Sequence, residues 1–198
     1  GRSGDWVTVC ADPDSDHPTW TRPRRIWHGH TLNKPTLLSD GSWLLPVSLN
    51  QRTSGGYAGM GKNSFGPYKD AFKDLAPVRG ANVFRSTDGG TNWTRLSCVK
   101  FPNPCWDEHM FVELKDHRIW MLARTSKGIC QAFSSDQGLT LTEPTYPEQL
   151  KQPAARFHIR RLASGRLLLV KHGDTVGATD GIRAKLVGTA DFLPPVHW

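Results

Sequence analysis

The chain has 198 residues, of which 37% are hydrophobic, and it carries a formal net charge of +7. This length predicts one domain, residues 1–198, and no apolar run approaches the roughly 18 residues of a membrane span. The basic residues are spread out and lack a stripe of base-stacking aromatics. That distribution argues against a nucleic-acid partner and favours a small acidic ligand.

Paired apolar strands recur along the chain. Three segments, KPTLLSDGSWLLPVSL, FVELKDHRIWMLAR and IRRLASGRLLLVKH, each read as a strand, a short turn and a second strand. A third strand follows each one, and the chain opens with half of such a unit. These third strands are ANVFRS, GICQAFS and RAKLVGT. We therefore predict an all-β chain of about three and a half four-stranded antiparallel blades, with an ordinary β-sandwich as the alternative.

Two turns share the pattern S-x-D-x-G. The aspartate can accept hydrogen bonds from its own turn, and the glycine allows the positive φ of a tight hairpin. The two aspartates are 48 residues apart, and repeats of roughly 40–50 residues indicate propeller blades. The predicted structural residues of these turns are Ser86, Asp88, Gly90 and Trp93 in the first, and Ser134, Asp136 and Gly138 in the second.

One long segment interrupts the repeat. Residues 50–80 lie between the second and third strands of the first complete blade, where the other blades need far fewer residues. Within it, YKDAFKDL is predicted to form one or two helical turns. Because long loops on rigid scaffolds often serve binding sites, we predict a lid or wall over the channel mouth.

Polar residues open the innermost strand of each blade, in LNKPT, DEHMF and RFHIR. Glu108 has the chemistry of a general base, and Arg124, at the end of the next strand, has a fork that matches a carboxylate. The hairpin between them should bring the two together; a structural ion pair is the alternative interpretation of both. Arg156 is a second candidate clamp, whereas Arg160 and Arg161 alternate, so one of them should face solvent.

No cofactor is predicted. His109, His158 and His172 come from different strands without a matching carboxylate set, so they are interpreted as hydrogen-bonding histidines and no metal is expected. Cys98 and Cys105 flank VKFPNP and could form a disulfide, although free thiols are the favoured interpretation.

The segments quoted above resemble, in this order along the chain, the bacterial sialidase-like family. STDGGTNW and SSDQGLTL look like its Asp-box, or bacterial neuraminidase repeat, and the likeness extends from TWTRPRRIWHG to LLLVKHG. The resemblance implies a six-bladed β-propeller that releases terminal sialic acids with retention. It also implies a Tyr nucleophile activated by a Glu, an Asp acid/base and three arginines that bind the substrate carboxylate.

Roles follow from the motif positions within this resemblance. Glu108 resembles the Tyr-activating glutamate, and Arg124 resembles one arginine of the triad. Asp107 and Arg156 look like further pocket residues. Three residues at the heads of the other innermost strands complete the predicted substrate-binding set: Asn33, Lys34 and His158. The expected partner is a sialic-acid-bearing or other acidic glycan, which favours an extracellular or periplasmic location although the opening residues lack a signal peptide.

The resemblance leaves part of the catalytic set unassigned. The family carries its first triad arginine and its Asp in earlier blades, and its last arginine and its Tyr in later ones. None of Tyr57, Tyr68 and Tyr146 occupies the matching place. Six blades of about 48 residues would need roughly 290 residues, so the chain is expected to be a partial propeller whose open sheet edges favour self-association.

Two other functions stay open at this point. One is a non-catalytic propeller that binds acidic sugars, which the missing Tyr and Asp favour. The other is a related propeller hydrolase or lyase that acts on another sugar, such as a uronic acid. Turnover would separate the binder from the enzymes, and product analysis would separate the enzymes from each other.

Overall fold

The computed structural model describes residues 4–49 and 73–173, and within these ranges the regular structure is almost entirely β. Two short 3₁₀ helices span Lys73–Val78 and Glu148–Leu150. The strands are β1 Asp5–Val7, β2 Arg24–Trp27, β3 Thr36–Leu37, β4 Trp43–Leu49, β5 Gly80–Ser86, β6 Thr94–Val99, β7 Pro104–Glu113, β8 Ile119–Thr125, β9 Gly128–Ser134, β10 His158–Arg161 and β11 Leu167–Val170.

The strands form four antiparallel sheets in chain order, β1-β2, β3-β4-β5-β6, β7-β8-β9 and β10-β11. Within each sheet, every strand pairs with the next along the chain, which is the layout of propeller blades. An isolated bridge from Gln131 of β9 to Thr145 adds a fourth strand position to the third sheet. The all-β blade architecture is therefore confirmed. The predicted third strands ANVFRS and GICQAFS lie in β5 and β9, whereas RAKLVGT lies outside the described residues.

The sheets stack face to face through three apolar clusters. Alternate side chains of a strand point to opposite faces, so Met121 packs towards the second sheet and Leu122 towards the fourth. The cluster between the first and second sheets contains Phe84 and the partly buried Trp27, whose rings lie 5.2 Å apart. Both faces of the third sheet are thus buried, and this sheet carries the site described below.

The long segment connects β4 to β5, as predicted. Its last part forms the 3₁₀ helix Lys73–Val78, which includes the end of the predicted helical turns. Residues 50–72 lie outside the described ranges, so the predicted lid is neither supported nor contradicted.

The first Asp turn has the geometry that its residue types predict. The Ser86 hydroxyl accepts the Gly90 N–H at 2.9 Å and donates to Asp88 at 2.8 Å. Asp88 also accepts the Asn92 N–H at 2.7 Å, and the Trp93 ring N–H donates to the Gly90 carbonyl at 2.9 Å. Most of these hydrogen bonds join residues close in sequence, so the turn closes the outer hairpin largely from within, and Arg24 of the first sheet adds a hydrogen bond to Asn92 Oδ1 at 2.9 Å.

The second Asp turn repeats these contacts. Ser134 accepts the Gly138 N–H at 2.8 Å, and Asp136 accepts the Thr140 N–H at 2.8 Å together with the Thr140 hydroxyl. The hydroxyl and N–H of Thr140, followed by Ser134, lower the pKa of Asp136 to about 2. The carboxylate is therefore the form that the folded turn prefers.

A third Asp turn lies in the opening sheet, within the Asp- and Pro-rich segment that the sequence predicts to be the turn of the opening half-blade. Asp12 accepts the Thr19 N–H at 3.0 Å, and the Cys10 thiol lies 3.3 Å from Asp12, where the other turns place a serine hydroxyl. The acceptor lies seven residues before its partner, compared with four in the other two turns. The cysteine and the longer loop distinguish this turn from the S-x-D-x-G pattern of the other two.

Asp136→Ala is expected to lower the free energy of unfolding at neutral pH by about 1 kcal/mol, because solvent screens the hydrogen bonds of a charged group in a surface turn. Because the folded-state pKa of Asp136 lies below the usual value, this stabilisation is present above about pH 4 and is lost as the pH falls towards 2. Urea unfolding at pH 7 and pH 2.5 measures this, with exposed Asp16→Ala as the control. Equal losses at both pH values would contradict the assignment.

Gly138→Ala is expected to cost about 2 kcal/mol of unfolding free energy. The residue has φ +96°, and an added Cβ would lie 2.9 Å from Val83 Cγ1 across the contact between two blades. Gly165→Ala is the matched control, because Gly165 has φ +81° but open space around the added carbon. Thermal unfolding should show a larger loss for Gly138. Equal losses would mean that backbone conformation alone matters.

Candidate functional site

An irregularity in the third sheet creates the candidate site. In the β7–β8 ladder Pro104 pairs with Thr125 and His109 pairs with Ala123, so residues 105–108 of β7 stand opposite Arg124 alone. Such bulges bend a strand and redirect its side chains, and they occur often beside active sites. The DEH motif predicted from the sequence lies at the end of this bulge.

Glu108 and Arg124 form the centre of the site. Arg124 Nη1 lies 3.2 and 3.1 Å from the two carboxylate oxygens of Glu108, and the side chains are 18% and 11% exposed. Arg124 Nη2 donates to the Ala154 carbonyl at 3.0 Å. Among the described residues, the buried Nε of Arg124 has no hydrogen-bond partner. The hairpin therefore brings the predicted base and the predicted clamp into direct contact.

Arg156 approaches the same carboxylate from the segment that precedes β10. Its Nε lies 3.4 Å from Glu108 Oε2, and its Nη2 lies 3.5 Å from the Leu32 carbonyl. Both contacts are long for hydrogen bonds, and the side chain is 62% exposed. Glu108 thus faces two guanidinium groups, one mostly buried in the sheet and one mostly exposed at the surface.

The segment that carries Arg156 is anchored by a glutamine that the sequence did not mark. Buried Gln152 donates from Nε2 to the Ala155 carbonyl at 2.7 Å and accepts the His172 N–H at 3.3 Å. This fixes the backbone next to the Ala154 carbonyl, which receives Arg124. A single glutamine in a polar loop carries no pattern, so only the three-dimensional contacts identify it.

The other predicted binding residues have separate places. Asn33 donates its amide to the His109 carbonyl at 2.9 Å, so it links the second and third sheets. Lys34 and His158 are exposed, and His158 points away from the buried neighbour Ile159. Asp107 lies in the bulge, but its side chain is outside what the structure describes.

His109 and the cysteines have structural surroundings. The buried His109 ring nitrogen lies 3.0 Å from the Asn82 carbonyl, as expected for a hydrogen-bonding histidine. Cys98 and Cys105 are half-buried and are not joined in a disulfide. Within residues 4–49 and 73–173, no group of three or more His, Cys, Asp or Glu side chains is placed to hold a metal.

Tyr146 is not a partner of Glu108 in the described contacts. Its hydroxyl lies 3.2 Å from the Thr125 hydroxyl, donates to the Pro102 carbonyl at 3.2 Å and accepts from Asn103 at 3.4 Å. These contacts place the Tyr146 hydroxyl at the end of the third sheet where β7 begins and β8 ends. Tyr57 and Tyr68 lie outside the described residues.

No helix in the described part of the chain is both long and apolar enough to cross a bilayer.

A family model for the BNR repeat-like domain matches residues 6–187, so the chain belongs to this family. No curated protein matches the chain. The family assignment agrees with the two Asp-boxes and confirms the resemblance drawn from the sequence.

Solved structures share the fold. A protein of unknown function from Dyadobacter fermentans is similar with a TM-score of 0.59 and 18% identity, over 84% of this chain and 43% of that one. A mutant of the NanB sialidase from Streptococcus pneumoniae is similar with a TM-score of 0.53 and 16% identity, over 83% of this chain and 23% of the sialidase. Thus the chain has the fold of sialidase propellers, and it spans less than half the length of either structure.

Proposed function

We propose that the chain contributes a sialidase-type glycan site in which Glu108 is the base and Arg124 binds the substrate carboxylate. The observation that carries this proposal is the contact between the two side chains, 16 residues apart, at a bulge in the first strand of a blade. The family resemblance gives the same pair the roles of Tyr-activating glutamate and triad arginine. The activity proposed is retaining exo-hydrolysis of terminal sialic acids.

The chemistry of the pair fits these roles. Glu108 carries a carboxylate, which can accept a proton from a hydroxyl group, and Arg124 carries a guanidinium fork that matches the carboxylate of an acidic sugar. Arg124 is locked by Glu108 and by the Ala154 carbonyl, so it presents a pre-oriented cation at little further entropic cost. The Tyr nucleophile, the Asp acid/base and the other two arginines are not assigned to residues of this chain.

A non-catalytic propeller that binds acidic sugars is the second candidate. It is favoured by two observations. Both oxygens of Glu108 already contact Arg124, and Tyr146 is bonded to Thr125 and Pro102 instead of Glu108. This candidate keeps the arginines as ligands for an acid but requires no proton transfer.

The test is hydrolysis of a fluorogenic α-sialoside by the chain, with the solution mass measured on the same sample. A fluorogenic galactoside, which has no carboxylate, is the control substrate. Release from the sialoside alone supports the sialidase. Saturable binding of sialic acid without release supports the acidic-sugar binder. If the chain neither binds nor hydrolyses the sialoside, whether it is a monomer or a larger assembly, the proposal is wrong.

A further inference from the structure

We propose that Arg156 is an exchangeable counter-ion, which pairs with Glu108 in the empty site and moves to the carboxylate of the bound sugar. This inference rests on the proposed function, because it assumes an acidic sugar at the Glu108–Arg124 pair. The inference identifies Arg156 as the side chain that selects for an acidic sugar. It also links ligand binding to the loss of the contact between Arg156 and Glu108.

The two arginines differ in how firmly they are held. Arg124 is mostly buried, and its three contacts to Glu108 and Ala154 are 3.0–3.2 Å long. Arg156 is mostly exposed, and its contacts to Glu108 and Leu32 are 3.4 and 3.5 Å long. An exposed ion pair with long contacts adds little to stability, so the exchange of Arg156 between partners has a small energetic cost.

Arg156 has donors to spare for a second carboxylate. A guanidinium can donate five hydrogen bonds, and the described contacts of Arg156 use Nε and Nη2. Within the described ranges, its Nη1 has no hydrogen-bond partner. Among the described side chains that meet here, two guanidinium groups face one carboxylate, so a ligand carboxylate supplies the charge that Arg156 lacks.

The backbone on both sides of Arg156 is anchored, whereas its side chain is mostly exposed. Buried Gln152 holds the preceding carbonyl of Ala155, and Phe157 is buried in the cluster between the third and fourth sheets. The side chain therefore swings from a fixed base at the rim of the site. When the Arg156 side chain moves, Glu108 Oε2 loses one donor and is open to a hydrogen bond from another hydroxyl group.

The test compares two probes and four variants by NMR titration of the chain. The probes are the methyl α-glycoside of N-acetylneuraminic acid and the methyl ester of the same glycoside, which lacks the negative charge. The variants are Arg156→Gln, Glu108→Gln, their double variant and Arg160→Gln. The last removes the same charge from an exposed neighbour, so it controls for the general electrostatic effect.

For the wild-type chain we expect the acid to bind more tightly than the ester. Arg156→Gln should weaken binding of the acid by about tenfold, the value of one charge-assisted contact, and leave the ester unchanged. Arg160→Gln should change neither probe. Glu108→Gln should tighten binding of the acid, because Arg156 no longer has an internal partner, and the double variant should lose this gain.

Other outcomes separate the inference from the proposed function. If the wild-type chain prefers the acid and Arg156→Gln shows the same preference undiminished, the inference is wrong and Arg124 remains the clamp. If the gain from Glu108→Gln persists in the double variant, Arg156 does not exchange partners, and the inference is also wrong. If the wild-type chain shows no preference for the acid, the proposed function fails, and the inference fails with it.

Discussion

Glu108→Gln is expected to slow sialoside hydrolysis by about 10²–10⁴-fold, the usual contribution of a general base. The amide keeps the shape of the side chain and one acceptor for Arg124, but it cannot take up a proton from a hydroxyl group. Since Arg124 stays in place and Arg156 becomes available, KM should fall or stay constant while kcat falls. Initial rates over a range of sialoside concentrations measure both parameters.

The matched control for this variant is Glu113→Gln. Glu113 lies at the other end of β7, where its carboxylate accepts the Ser39 N–H at 2.7 Å. The same substitution on the same strand should leave kcat unchanged, because Glu113 is remote from the bulge. A kcat that falls equally in both variants would mean that the loss reflects the stability of β7. A kcat that survives Glu108→Gln would remove the base from this position.

Local chemistry explains why most of the fold was predictable. Alternating apolar residues define strands, and a turn such as Ser86–Trp93 makes most of its hydrogen bonds between neighbours in sequence, so both features are encoded locally. The 48-residue spacing of Asp88 and Asp136 then repeats the same unit. These features are sufficient to predict blades, because consecutive strands pair with each other in this fold.

The missed features depend on contacts between distant segments or on an altered repeat. The opening Asp/Pro turn was predicted, but its hydrogen bonds at Asp12 were not, because it has a cysteine in place of serine and a longer loop. Asn33 was predicted to bind substrate, whereas its amide contacts the His109 carbonyl across two sheets. Its binding role stays a prediction, and the amide is already engaged.

The part of the site that local sequence encodes was also predictable. Glu108 and Arg124 are joined by one hairpin, so strand geometry alone brings them to the same edge of the sheet. The contacts of Arg156 with Glu108 and of Arg124 with Ala154 join different blades, and no local pattern encodes their distances. The bulge at residues 105–108 is also absent from simple alternation, although it orients the base.

Arg124→Leu is expected to lower the free energy of unfolding by about 3 kcal/mol, the low end for breaking a buried ion pair. The change leaves Glu108 with only the long contact to Arg156 and leaves the Ala154 carbonyl without its donor. Urea unfolding measures the loss. The double variant Arg124→Leu with Glu108→Leu should regain much of the lost stability, because it removes both members of the ion pair. A loss below about 1 kcal/mol would show that solvent screens the pair, which would place it among surface ion pairs.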